Sequence, residues 1–167
     1  MLNKQGIREL AYIVKIDEIE PITGSDNCEA AVVGGWKVMV RKNTFKPGDL
    51  AIYFEIDSQV PASDTFSFLA AKHYKVKSQR YTFGGKGNFI SQGLLMHPTD
   101  FGWSYNQDKD GQLCIHNTEK NVFYPVGTFL TEELKVTYAD PADNKRKAPS
   151  ADKYKRMAQR NPRLFKK

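Results

Sequence analysis

Gly34-Gly35-Trp36-Lys37-Val38-Met39-Val40-Arg41, followed by Phe45-Lys46-Pro47-Gly48-Asp49-Leu50-Ala51-Ile52-Tyr53-Phe54-Glu55-Ile56-Asp57-Ser58, is the stretch that decides the fold. Trp36, Val38 and Val40 alternate with Lys37, Met39 and Arg41, while Leu50, Ile52, Phe54 and Ile56 alternate with Ala51, Tyr53, Glu55 and Asp57. That period of two predicts a pair of half-buried strands, with one face in the core and the other outward, polar and available for function. Between them, Pro47 presets the backbone angle of a turn's second residue and Gly48 supplies the positive φ of its third, as in a type II turn. The register of both strands is therefore set locally.

Working outward, Leu10, Tyr12, Val14 and Ile16 alternate with Ala11, Ile13, Lys15 and Asp17, a first strand that ends at Pro21, where donation to a ladder fails. Cys28 to Val33 and Trp36 to Lys42 form a hairpin whose Gly34-Gly35 pair accepts the positive angles of a tight turn. Ser63 or Asp64 caps a short helix through Phe66, Phe68 and Leu69, with Lys72 near its C-terminal end. Strand character resumes from Tyr74 to Phe83 and, after the Gly84-Gly85-Lys86-Gly87 loop, from Phe89 to Met96. Asn106 to Gly111 reads as a hairpin tip with Leu113 to His116 as its return arm, and Thr131 as the cap of one helical turn through Leu134. Short strands, turns between them and one interrupting helix predict an all-β fold, an OB-fold-like small Greek-key barrel closed by five strands. Residues 1–138 would make up this nucleic-acid-binding domain, 139–150 a linker of Ala, Pro, Asp, Asn, Lys and Ser, and 151–167 a basic, partly helical tail or hinge.

The length of 167 residues suits one modest core without staples. Two cysteines, Cys28 and Cys114, are too few for a disulfide framework and show no zinc spacing, so both are read as reduced and packed. No apolar run reaches signal-peptide or membrane-span length, which makes a cytoplasmic location the default expectation. The net charge of +6 is unevenly spread: residues 144–167 hold ten Lys or Arg against Asp152 alone, so the remainder is −3. Within that acidic remainder, Thr65 to Thr99 contains no Asp or Glu but carries Lys72, Lys75, Lys77, Arg80 and Lys86. A basic ribbon on an acidic body is the charge pattern of local contact with a phosphate backbone.

Together with the Pro21-Ile22-Thr23-Gly24-Ser25-Asp26 loop and the Ile90-Ser91-Gln92-Gly93-Leu94-Leu95 segment, the opening stretch resembles the N-terminal OB domain of a family of ATP-dependent RNA ligases. The likeness is best over Leu10 to Asp57 and Phe89 to Met96, with weaker support from Pro125-Val126-Gly127 to Leu134. The resemblance implies an RNA-binding module that holds RNA or nicked nucleic acid while a nucleotidyltransferase domain, C-terminal to this chain, joins a 3′-hydroxyl to a 5′-phosphate. ATP and a divalent metal are implied for that parent ligase, and no cofactor for this chain, which reads as a fragment without a catalytic site of its own. A stand-alone OB module that docks on a protein or a transfer RNA is the alternative, since small barrels host many roles.

The remaining motifs support structure rather than chemistry. Lys15-Ile16-Asp17-Glu18 approximates the Lys-x-Asp-Gly nucleotidyl-transfer motif, but Glu18 stands at the glycine position and Lys15 is mid-strand, without the phosphate site a lysine nucleophile needs. Lys109-Asp110-Gly111 lacks the intervening residue. Gly84-Gly85-Lys86-Gly87 does not have P-loop spacing and reads as a flexible connection. Asn106, Asp108, Asp110 and Gly111 echo half a calcium loop, yet Asn117 replaces the bidentate glutamate. His73, His97 and His116 are scattered, so no metal site is expected.

The strongest functional candidate is the basic and aromatic run from Lys72 to Phe83, taken with the outward residues of the opening strands. Lys37, Arg41, Lys42, Lys72, Lys75, Lys77, Arg80 and Lys86 are the predicted phosphate contacts, and Tyr53 and Tyr81 the predicted stacking partners of bases.

Overall fold

The Pro47-Gly48 turn closes as its residues require: Gly48 adopts φ +92°, and the Asp49 N–H donates to the Lys46 carbonyl at 3.0 Å. The computed structural model describes residues 1–139, so the linker from residue 140 and the basic tail lie outside the described residues. Its strands are β1 (Ala11–Lys15), β2 (Glu18–Pro21), β3 (Cys28–Val33), β4 (Trp36–Arg41), β5 (Leu50–Phe54), β6 (Ser58–Gln59), β7 (Gln79–Tyr81), β8 (Phe89–Ser91), β9 (Leu94–Met96), β10 (Ser104–Gln107), β11 (Leu113–Asn117), β12 (Val122–Tyr124) and β13 (Thr137–Tyr138). The all-β class follows from this, and the glycine hairpin forms with Val33 opposite Trp36, although only Gly34 takes a positive φ.

Two three-stranded sheets form the barrel, β2-β3-β4 and β1-β5-β9. Hydrogen bonds from the Ile16 N–H to the Asp49 carbonyl and from the Asp17 N–H to the Val32 carbonyl, both 2.8 Å, carry β1 over into β2. On the other side, the Gln92 N–H donates to the Lys37 carbonyl and the Met39 N–H to Ser91 Oγ, each at 2.9 Å, drawing β4 toward the β8–β9 connection. The order is that of an OB fold, but the ladders do not close into the expected cylinder. The last strand is also interrupted: at φ +101° Gly93 leaves the strand region of backbone space, between β8 and β9.

A second departure concerns the faces. The alternation predicts one outward face, yet every residue of β5 is buried. Leu50, Ile52 and Phe54 pack with Ala11, Ile13, Phe66, Trp103, Ile115 and Leu130 in one core, while Ala51 and Tyr53 pack with Tyr12, Ile16, Val38, Val40 and Leu95 in another. The second core fills the barrel. The first lies between the outer face of β1-β5 and a covering layer that includes the helix at residues 64–72 and the β10-β11-β12 sheet. The Pro125–Leu134 segment completes this layer by pairing along β1: the Ile13 N–H donates to the Thr128 carbonyl at 3.0 Å and the Leu130 N–H to the Ala11 carbonyl at 2.8 Å. Thr131 is consequently not a helix cap, because its hydroxyl accepts from the Leu10 and Ala11 N–H groups. A run without a polar residue from Leu50 to Phe54 is what two-sided burial demands.

The expected interrupting helix forms as a 3-10 helix over Asp64–Lys72, entered at Ser63 without a side-chain cap and kinked at Phe66. The expected strand from Tyr74 to Phe83 shrinks to Gln79–Tyr81, since His73 and Tyr74 both take positive φ, +56° and +60°, which no strand accommodates. Residues 74–76 are instead held beside β6, with Val60 N–H to the Tyr74 carbonyl at 2.9 Å and Val76 N–H to the Ser58 carbonyl at 2.8 Å.

Candidate nucleic-acid interface

The 3-10 helix and the strands β4, β7 and β9 enclose a groove of about 240 Å³ whose lining includes Lys72, Lys75, Lys77, Gln79 and Tyr81, with Met39, Phe68, Leu69, Gly93 and Leu94 beneath and beside them. Local structure explains why these residues meet. With about three residues per turn, the 3-10 helix places Phe66, Leu69 and Lys72 in one row. Phe66 and Leu69 are buried, so the row anchors the helix and leaves Lys72 at its open end. The two left-handed residues His73 and Tyr74 then turn the chain, and buried Val76 fixes the segment so that Lys75 and Lys77 flank it. Gly93 has a close-approach role here: a Cβ on it would lie 2.7 Å from the Tyr53 ring and 2.8 Å from the Phe54 carbonyl.

The lining contains no Asp, Glu or His among the described residues. Tyr81 is half-buried, donates its hydroxyl to Gln79 Oε1 and stacks on Phe83 at 6.1 Å between ring centres. Burial pushes its phenol above the ordinary range, with a smaller contribution from Cys28, and keeps it a neutral donor. The apolar floor under a cationic rim suits a ligand that is charged on one edge and flat and apolar on the other.

The other predicted residues are placed elsewhere. Lys37 is exposed on β4 but forms an ion pair with Glu20, Nζ to Oε1 at 2.8 Å. Arg41 and Lys42 border a separate shallow depression with Asp26, Asn27 and Asn43. Arg80 is exposed but absent from the groove lining that its neighbours Gln79 and Tyr81 share, as strand alternation requires. Lys86 sits in the glycine loop, which is docked rather than swinging: Gly87 lies so near Thr23 that a Cβ would be 2.1 Å from the Thr23 carbonyl oxygen. Tyr53 is a correction. It is 2% exposed inside the barrel, donates its hydroxyl to the Gln92 carbonyl at 2.9 Å and offers no face to a base.

Phe68, Met39 and Gln79 line the groove and escaped the sequence reading. The expected helix runs through Phe66, Phe68 and Leu69 without sorting them; the three-residue period separates Phe68 from the other two, and the ring is 55% exposed. The motif decoys behave structurally: Asp17 accepts the Gly34 N–H at 2.9 Å, and Asp108 Oδ1 accepts the Asp110 and Gln112 N–H groups at the hairpin tip. Among the described residues, no group of His, Cys, Asp and Glu is arranged to hold a metal, and no helix is long and apolar enough to cross a membrane.

The sequence profile of an OB-fold domain family matches residues 10–98, more than half of the chain. The chain belongs to this OB-fold family. Among solved structures, the OB domain resembles Naegleria gruberi RNA ligase with PPi at 28% identity and a TM-score of 0.61, over 81% of this chain and 36% of the ligase. Variants of the same ligase with AMP and Mn (28% identity, TM-score 0.61, 80% of this chain) and with ATP and Mn (27%, 0.60, 80%) are also similar, again over 36% of the ligase. The OB domain thus spans little more than a third of the ligase chains it resembles. No curated protein matches it.

Proposed function

We propose that this OB domain binds RNA through the lysine groove and serves as the RNA-holding part of an ATP-dependent RNA ligase. The observation that carries the reading is the convergence of Lys72, Lys75 and Lys77 on one acid-free groove with an apolar floor, in a domain similar to an RNA ligase. In that reading the lysines neutralise successive phosphates and release their counterions, while end joining, with its ATP and divalent metal, belongs to a nucleotidyltransferase domain. The chain's own contribution is to bind and orient the strand near the break.

The test is a fluorescence-anisotropy titration of single-stranded RNA at several salt concentrations, comparing the wild type with the Lys72→Glu/Lys77→Glu double variant. Each phosphate contact on a single strand contributes about 0.7 to the slope of log K against log salt, so the double variant should lose about 1.4 of slope along with most of its affinity. Wild-type affinity that does not respond to salt, or that survives the double reversal, overturns the proposal in favour of docking on a protein.

A further inference from the structure

We infer that the groove is built for an unpaired nucleotide, with Phe68 as the platform on which its base stacks. This rests on the RNA-binding reading above and narrows its substrate class. Phe68 is 55% exposed at the groove, and no aromatic ring packs on it among the described residues. Tyr81, the ring expected from the sequence, is already committed: Phe83 stacks against it and its hydroxyl is bonded to Gln79. Leu69, Leu94 and Met39 extend the apolar surface beside Phe68, and Lys72, Lys75 and Lys77 border it.

Phosphate contact alone needs no apolar floor, because a duplex presents its sugar-phosphate edge and keeps its base faces stacked inside. A floor of one exposed ring and aliphatic side chains gains only from a π-face, which an unpaired base supplies regardless of its identity. Volume agrees. At about 240 Å³ the groove is smaller than the usual cleft for a drug-sized ligand, enough for one base with its sugar and far short of a helix.

The experiment measures binding of a single-stranded RNA, and of the same sequence in a perfect duplex, to the wild type and to Phe68→Ala, Phe68→Leu and Phe68→Tyr. Because Phe68 is exposed, these variants should keep the wild-type melting temperature. The single strand should bind Phe68→Ala and Phe68→Leu roughly 5- to 100-fold more weakly, the range that loss of one stacked base allows, with Phe68→Tyr close to wild type and the salt slope unchanged. A 2-aminopurine in the strand should be quenched by the wild type and Phe68→Tyr but not by Phe68→Leu. Equal affinity of Phe68→Ala for the strand, or duplex binding as tight as single-strand binding, overturns this inference. If at the same time Lys72→Glu/Lys77→Glu still weakens binding by an order of magnitude or more, the RNA-binding reading stands without it, whereas insensitivity to both variants defeats the two together.

Discussion

Two basic regions look equivalent in the sequence, the outward cations of β4 and its following turn, and the run from Lys72 to Lys77, but the fold treats them differently. On β4, Lys37 reaches across β3 to Glu20 of β2, and Arg41 and Lys42 share their depression with Asp26. In the other region, a 3-10 helix end and two left-handed residues gather three lysines over apolar side chains, with no carboxylate in the lining. Cation count does not distinguish these regions. What separates them is which segments arrive beside the cations: β2 and the loop after it bring Glu20 and Asp26 to one, while the start of β9 brings Gly93 and Leu94 to the other.

The sharpest way to break the comparison is to damage the scaffold on each side. Gly93→Ala places a methyl 2.7 Å from the Tyr53 ring at a φ of +101°, so both backbone strain and overpacking apply, and a loss of about 2–6 kcal/mol is expected from chemical denaturation. Gly34→Ala, at the turn before β4, meets open space and only the left-handed φ of +56°, so a loss of about 1–2 kcal/mol is expected. Similar losses at the two positions would show that Gly93 is not wedged against Tyr53 and Phe54 of β5. Next in size is the charge contrast. Lys72→Glu/Lys77→Glu should reduce RNA affinity by one to two orders of magnitude, at roughly 1 kcal/mol per charged contact, whereas Arg41→Glu/Lys42→Glu should change it by less than about threefold. Equal effects would mean that the strand follows the whole barrel rather than the groove.

Acid separates fold from site. Glu55, outside the groove, accepts from the Met1 ammonium, Arg8 and Tyr12, and although burial alone would raise its pKa, these donors hold the carboxyl below the usual range. A carboxyl with a depressed folded pKa stabilises the fold above the ordinary carboxylate range, and that contribution is lost as pH falls through its folded value. The melting temperature should therefore decline on acidification, and Glu55→Gln should be less stable than wild type at neutral pH and lose less on acidification. RNA affinity of the wild type, resting on a groove lined by no Asp, Glu or His, should stay level across the range in which the fold remains intact.

How much of this was legible depends on whether neighbours in sequence or neighbours in space decide the outcome. The Pro47-Gly48 turn, the glycine hairpin and the hairpin tip at Asn106 to Gly111 could be read because each is closed by its own residues. Tyr53 could not. Its alternation marks two faces but not which of them turns into the barrel: Tyr53 packs inside with Tyr12, Val38 and Leu95, while Leu50, Ile52 and Phe54 meet a second layer supplied by residues some fifty or more positions later, such as Trp103 and Ile115. The unbroken apolar run from Leu50 to Phe54 was the available sign. Half of the site was visible as an acid-free basic stretch. Phe68 stayed hidden because a short helix by itself does not sort its apolar residues; the three-residue period of the 3-10 helix does.

The smallest expected effect is at Lys37, and it tests the comparison from the opposite side. Its ammonium is half exposed and its partner Glu20 more than a third exposed, so solvent screens the pair, and Lys37→Ala should change stability by less than about 1 kcal/mol. Breaking the pair from the acid side is more informative, because Glu20→Gln leaves the lysine in place and frees it to meet a phosphate. If the ion pair is what silences this side of the barrel, Glu20→Gln should raise RNA affinity slightly, by about twofold, and steepen the salt slope, while Lys37→Ala alone leaves both unchanged. A fall in affinity on Lys37→Ala would place the strand on β4 as well, and the difference between the two basic regions would then be one of degree.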